Sequence, residues 1–457
     1  MGVNVRVRES MVVRPAAETP RLSLWISNLD KVMPHTHTPL VHLYKPNKSA
    51  SDNFFDMRVL KHSLSKALVQ FYPFAGRLKQ KSDDGENGGI EIDCNAEGAL
   101  FVVANSSSCI SDFGDFASTP EFGRGLIPTV DYCGGISSFP LLLVQITYLK
   151  CGGVALGVGV NHHVADGSST FHFINTWSDM ARGLDCAIPP TMDRTILGAR
   201  DPPRPLLDHN HHIEYPDPRN INQNESTAAA TTVSIFRFTR EQLNVLKAMT
   251  STSTLPNNKY SLFEVFAGHV WRCACKAREL ANDQETTFYF PVDGRSRLQP
   301  PLPTGYFGRV VFTATSTALV GDLISKPISY AASCIHNALM RMDDDYLRSA
   351  IDYLQLKQQQ NHQDLSSFAH ADQVRCPNLE INSWFILTLY DSDFGWGRPI
   401  FVGRSGIRSE GKAYMVPSAT NDGSLSLSIR LQSQHMKSFS TLVYDLGLTS
   451  KSITSCL

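Results

Sequence analysis

Between about Ala187 and Thr232 the chain loses its hydrophobic periodicity. Pro189, Pro190, Pro202, Pro203, Pro205, Pro216 and Pro218 fall in this stretch, among Asn, His and Ser. Each proline lacks an N–H and fixes its own φ, so neither a helix nor an interior strand runs through such a segment. A connection this long is uncommon inside one domain. It predicts two folded bodies, residues 1–186 and residues 233–457, joined by a crossover over 187–232. Core material is not limiting, since a compact chain of 457 residues buries roughly three quarters of its unfolded surface.

Both flanking stretches are periodic. Leu60, Leu64, Ala67, Leu68 and Phe71 share one helical face in Asp56–Phe71, and Pro73 stops the helix. Short strands are predicted at Ile90–Ile92 and Ala99–Ala104. Leu141–Tyr148 and Val154–Val160 read as a hairpin, with Lys150-Cys151-Gly152-Gly153 as its turn. Ser168–Arg182 follows as a helix. The second half predicts a strand at Thr232–Arg237 and helices at Thr239–Met249, Ser261–Lys276 and Asp345–Gln359. Strands follow at Trp384–Tyr390, Ala413–Val416 and Ser424–Gln432, with a terminal helix over Ser433–Asp445. Asn421-Asp422-Gly423 signals a hairpin turn. Strands and helices mix without a regular βαβ beat, so the class is α/β in the mixed, α+β sense.

Charge excludes several functions. Lys+Arg 42 against Asp+Glu 43 leaves a net −1, with neither the basic field that phosphate backbones require nor a polybasic membrane anchor. No apolar run reaches membrane-spanning length. Met1–Pro15 is polar and basic without an apolar core, so no export signal is expected. Ten cysteines then read as reduced thiols, and the expected location is cytoplasmic. Nucleic acid and membrane are not expected partners.

Two clusters stand out chemically. His162, His163 and Asp166 lie just past a strand and before a helix. A histidine there suits general-base work, because an ordinary pKa near 6.5 keeps it neutral yet basic. A buried or capping histidine pair and a metal site are the competing readings. Adjacent histidines on an extended chain point in opposite directions, and the helical HExxH geometry is missing. The second cluster is Asp393-Phe394-Gly395-Trp396-Gly397. Its first letters match a kinase metal loop, but no Gly-rich or catalytic-loop signature accompanies it, and a tight packed loop is the simpler reading. Asp343-Asp344-Asp345 reads as a helix cap. His209, His211 and His212 read as solvated. No GxSxG elbow surrounds Ser168 or Ser169, and Cys151 sits in a hairpin turn without a thiol-protease context.

With both clusters in view, the chain resembles the plant BAHD acyltransferases. His162 to Gly167 matches that family's HxxxDG motif and Asp393–Gly397 its DFGWG motif, about 230 residues apart and in the family's order. Phe71–Leu78, Gly268-His269-Val270-Trp271-Arg272, Val292–Arg297 and Gly305-Tyr306-Phe307-Gly308 are similar as well, so the likeness spans nearly the whole chain. Within the family it is nearest to the hydroxycinnamoyl transferases that use shikimate, quinate, hydroxyphenyllactate or anthranilate-type acceptors.

The resemblance implies two similar chloramphenicol-acetyltransferase-like domains, each a mixed sheet with flanking helices, with a channel between them. It implies acyl-coenzyme A as co-substrate, small-molecule partners, a monomer, and no bound cofactor or metal. His162 would be the catalytic base. Asp166 would pair with Arg295, and Asp393, Gly395, Trp396 and Gly397 would serve structure. The acceptor pocket would draw on His42, Asn382, Trp384, His370 and Arg375, and coenzyme A on Lys259, Ser261 and Arg297. Asn382 stands where shikimate transferases usually carry Thr. Ala369 stands where they place a carboxylate-clamping Arg, and His42 replaces a Tyr. A bidentate clamp is not replaced by Ala. The expected reaction is transfer of a hydroxycinnamoyl group to a hydroxyl of a small polar acceptor, quinate or another hydroxy acid before shikimate. Amide formation on an amine, a catalytically silent phenylpropanoid-binding relative and a hydrolase are the alternatives.

Overall fold

A computed structural model describes residues 4–46, 53–81, 89–116, 122–206, 209, 230–250, 260–361 and 374–446. The first half supplies strands β1 (Val5–Val13), β2 (Ser23–Trp25), β3 (His37–Tyr44), β4 (Arg77–Gln80), β5 (Ile90–Asp93), β6 (Ala99–Ser106), β7 (Leu142–Leu149) and β8 (Val154–Asn161). The second half supplies β9 (Thr231–Phe238), β10 (Glu285–Asp293), β11 (Val311–Leu319), β12 (Leu379–Ser383), β13 (Phe401–Arg404), β14 (Lys412–Pro417) and β15 (Leu425–Gln432). They form two six-stranded mixed sheets, ordered β1-β6-β7-β8-β3-β13 and β11-β10-β12-β14-β15-β9, and a small sheet β2-β5-β4. Helices flank both large sheets, as the mixed-sheet expectation required.

The β7–β8 hairpin is the spine of the first sheet. All eight residues of β8 are buried, with Val154, Leu156, Val158 and Val160 alternating with the small Ala155, Gly157 and Gly159. At Gly157 a Cβ would sit 1.9 Å from the carbonyl oxygen of Leu126. Only glycine lets the preceding loop cross the strand so closely. Helix Gly167–Ala181 lies against helix Met57–Gln70, and the Trp177 indole N–H donates to Leu60 O and Ser63 Oγ.

The two halves interlock. β13 belongs by sequence to the second half, yet pairs antiparallel with β3, Arg404 opposite Leu40 and Phe401 opposite Leu43. Phe307, Leu389, Phe394 and Val402 join the first core, while Leu29 joins the second. The DFGWG loop makes part of this clasp. Asp393 Oδ1 accepts from the N–H groups of Gly395 and Gly397, both with φ near +100°. Phe394 packs on Tyr44, Phe55 and Trp177, and Trp396 on Phe54 and Phe55.

Two sequence expectations need correction. The strand over Trp384–Tyr390 instead ends at Ser383, and the chain turns away with Ile386 72% exposed. The run Phe385-Ile386-Leu387 does not alternate, so apolar content alone misled. His209 is buried rather than solvated: its Nε2 meets Ser349 Oγ at 2.7 Å and its ring abuts Tyr346. His211, His212, Pro216 and Pro218 lie outside the described residues.

Candidate active site

The end of β8 turns sharply into helix Gly167–Ala181, and this turn carries His162, His163 and Asp166. The two histidines diverge. His163 is buried, stacked on His35 with ring centroids 4.8 Å apart, and its Nδ1 lies 3.2 Å from Asn161 Oδ1. His162 lines a cavity between the two bodies. Its Nδ1 lies 3.1 Å from the carbonyl oxygen of Ala165. A carbonyl only accepts, so Nδ1 carries the proton and the neutral ring keeps its lone pair on Nε2. Burial, together with the positive charges of Arg309 and Arg404, pulls the imidazole down to about 4. The ring is therefore neutral at physiological pH.

Two buried ion pairs hold the turn. Asp166 caps the helix by accepting from Ser169 N at 3.0 Å and takes a second backbone N–H from Val310 at 3.1 Å. Arg295 grips both its oxygens, at 2.8 and 3.0 Å. Burial raises the Asp166 carboxyl, but Arg295 and these donors outweigh it and hold the group below its ordinary value. Its lone pairs are thus turned toward arginine and backbone, not toward the His162 ring. Behind the turn, fully buried Arg194 donates to His163 O and Val164 O and faces Asp30 at 3.5 Å. Asp30 in turn accepts from Arg309 N. Arg194 comes from the proline-rich crossover, where nothing in the sequence marked it.

The cavity around His162 has a volume of about 220 Å³. It shares Ser168, Phe171, Ile386 and Leu387 with a second cavity of about 530 Å³, lined by Arg295 and the Pro301–Tyr306 loop. At its other end it shares Trp384, Arg404 and Tyr414 with a third, of about 250 Å³. The cavity that His162 lines thus has wall residues in common with both of the others. Asn382 and Trp384 are on its wall. Asn382 Nδ2 donates to Glu380 Oε1, while the Trp384 indole N–H donates to no described residue.

The remaining sequence candidates lie elsewhere. His42 sits behind Phe171, with ring centroids 6.0 Å apart, and its Nδ1 meets Ser392 Oγ at 3.3 Å. Burial lowers its imidazole to about 3, so it carries no charge for a carboxylate. Arg375 is exposed and off the cavity wall. Ser261 spends its hydroxyl capping helix Leu262–Ala277. Arg297 donates to Leu339 O and Met342 O at the end of helix Ile328–Met340. Neither lines the three cavities. Lys259, Ala369 and His370 lie outside the described residues. Sequence reasoning missed Arg309 and Arg404, which line the cavity. No group of His, Cys, Asp and Glu among the described residues has a metal-binding arrangement, and no helix among them is long and apolar enough to cross a membrane.

An imidazole between two mixed-sheet bodies, with space on either side for a substrate, is the arrangement of an acyl-transfer enzyme. The chain belongs to the Transferase family of BAHD acyltransferases, whose model matches residues 3–446, and it is an acyl-CoA-dependent acyltransferase. It is 55% identical to the shikimate O-hydroxycinnamoyltransferase of Nicotiana tabacum, over 97% of this chain and 100% of that one. It is 49% identical to a hydroxycinnamoyl-CoA:5-hydroxyanthranilate N-hydroxycinnamoyltransferase of Avena sativa, with the same coverage. The crystal structure of vinorine synthase has the same fold, with a TM-score of 0.71 and 22% identity over 95% of this chain and 96% of that one.

Proposed function

We propose that this enzyme moves a hydroxycinnamoyl group from coenzyme A to a hydroxyl of a small polar hydroxy acid, quinate before shikimate, with His162 as general base. The observation that carries the reading is the tautomer: Nδ1–H is committed to Ala165 O, which leaves the Nε2 lone pair free in a cavity that shares wall residues with two others. In the ternary complex Nε2 takes the acceptor's hydroxyl proton as that oxygen attacks the thioester carbonyl. The tetrahedral intermediate collapses, the C–S bond breaks, and the imidazolium returns its proton to the departing thiolate. No acyl-enzyme is formed. The free indole N–H of Trp384 is the oxyanion donor that this reading favours. Holding both substrates in one passage removes association entropy from the chemical step. Hydroxycinnamoyl transfer is supported by the names of the two relatives, one an O-acylating and one an N-acylating enzyme.

The test is His162→Ala. Thiol release from p-coumaroyl-CoA in the presence of quinate should fall by about 10²–10⁴-fold. Turnover at the wild-type rate refutes the base assignment, and a product of amide mass from an amine panel refutes ester formation. The same proposal has the enzyme acting as a cytoplasmic monomer, which gel filtration and a fluorescent fusion test.

A further inference from the structure

Most of the charged side chains lining the His162 cavity are held in ion pairs. Asp166 and Asp293 are both paired with Arg295, and Glu380 with Lys412 at 3.3 Å. Two guanidinium groups are left over. Arg309 gives its Nε–H to Leu29 O and its backbone N–H to Asp30, but its guanidinium has no ion pair among the described residues. Arg404 lies over the Tyr414 ring, 5.7 Å from the centroid, and has no ion-pair or hydrogen-bond partner among them. Asp166 and Asp30 act on Arg309 through their charge, so Arg404 is the guanidinium that gains most from a planar anion gripped by two N–H groups.

Sheet register fixes where that anion goes. Arg404 is opposite Leu40 across β13 and β3, and Tyr414 is opposite Asn382 across β14 and β12. These four residues line one end of the cavity. The phosphates of coenzyme A do not suit this place. Both arginines line the same cavity as His162, where the proposed reaction puts the thioester, and the phosphates then lie a pantetheine arm away.

We propose that the acceptor carries a carboxylate and that Arg404, assisted by Arg309, grips it, so that the acceptor hydroxyl is delivered to His162. This deepens the hydroxy-acid reading and rests on it. The positioning residues are not those the sequence suggested.

The experiment compares quinate, shikimate, 4-hydroxyphenyllactate and 5-hydroxyanthranilate, each as the free acid and as its methyl ester, with p-coumaroyl-CoA as donor and product mass as readout. For any pair used, the acid should exceed the ester by about 100-fold in kcat/KM, mostly through KM. Arg404→Gln should lower the acid by about 100-fold and the ester by about threefold or less, with Arg404→Lys recovering part of the loss. Equal losses on acid and ester, a wild type that does not discriminate, or a loss confined to the KM of p-coumaroyl-CoA overturns the proposal. Should the wild type acylate no compound, the hydroxy-acid reading fails. Calorimetric binding of the four acids then decides this proposal separately: binding that Arg404→Gln abolishes supports it, and absent or equal binding overturns it.

Discussion

Asp166→Asn separates a structural from a catalytic role for the acid of the HxxxDG motif. The side chain is 1% exposed and accepts from Arg295 twice, from Ser169 N and from Val310 N. Breaking one partner of a buried ion pair costs about 3–5 kcal/mol. The lower end applies here, because Arg295 keeps Asp293 Oδ2, Ser169 Oγ and Gly308 O, each at 3.1 Å. Asn also keeps one acceptor oxygen. A loss of about 3 kcal/mol in a body of this size lowers the melting temperature by roughly 6–12 °C. Because Arg295 and the N–H donors hold the Asp166 carboxyl below its ordinary value of 3.8, the wild-type advantage is fully present above that pH. It is lost only as the pH falls through the still lower folded value. Thermal unfolding from pH 8 to 5 should therefore show a constant gap between wild type and variant.

Turnover gives the second readout. The His162 ring is oriented by Ala165 O, not by Asp166, so thiol release by the folded variant at 20 °C should fall by about 10²-fold at most, from a small displacement of the turn. In a triad-type relay the same Asp→Asn change costs about 10⁴-fold with the geometry intact. A variant that melts with the wild type and loses about 10⁴-fold in turnover refutes the structural assignment.

Because the His162 imidazole is held at about 4, kcat/KM should stay flat as pH falls from 8 to about 5 and decline only near 4; an acid limb near 6.5 contradicts this. Arg404→Gln removes one of the positive charges that depress the ring, so that limb should move to higher pH in stopped-time thiol assays. Phe394→Ala should cost about 3–5 kcal/mol by opening a cavity in the clasp, measured by urea unfolding. The KM of acceptors should change little, since Phe394 does not line the His162 cavity.

Local features of this chain were legible because they are governed by neighbours in sequence. Asp166 caps the helix it precedes, Asp343 accepts from Tyr346 N at the start of helix Asp344–Asn361, and Asn421-Asp422-Gly423 turns β14 into β15. An extended backbone predicts the divergence of His162 and His163, whereas in the structure both lie in the turn just past β8. What escaped depends on partners far along the chain. β13 is four residues long and becomes a strand only because β3 offers it an edge. Arg194, Arg309 and Arg404 look like surface residues in sequence, and long-range burial turns them into site residues. His42 shows the reverse: alternation along β3 gives its face, but not that Phe171 stands between it and the cavity.

The interlocked topology explains how a site built from two bodies stays aligned. His162 comes from the end of β8, while Arg295, Arg309, Asn382 and Trp384 come from the second half. A hinged interface would let the distance between them drift, and catalysis is sensitive to shifts of an ångström. Here the Asp166–Arg295 pair joins the halves at the motif itself, β13 completes the first sheet with second-half backbone, and Phe394 and Trp396 are seated in the first core. Each contact crosses the boundary between the halves, and together they hold it at several points. Under the proposed reaction, thioester and acceptor would meet at His162 in a cavity whose two walls are held together in this way.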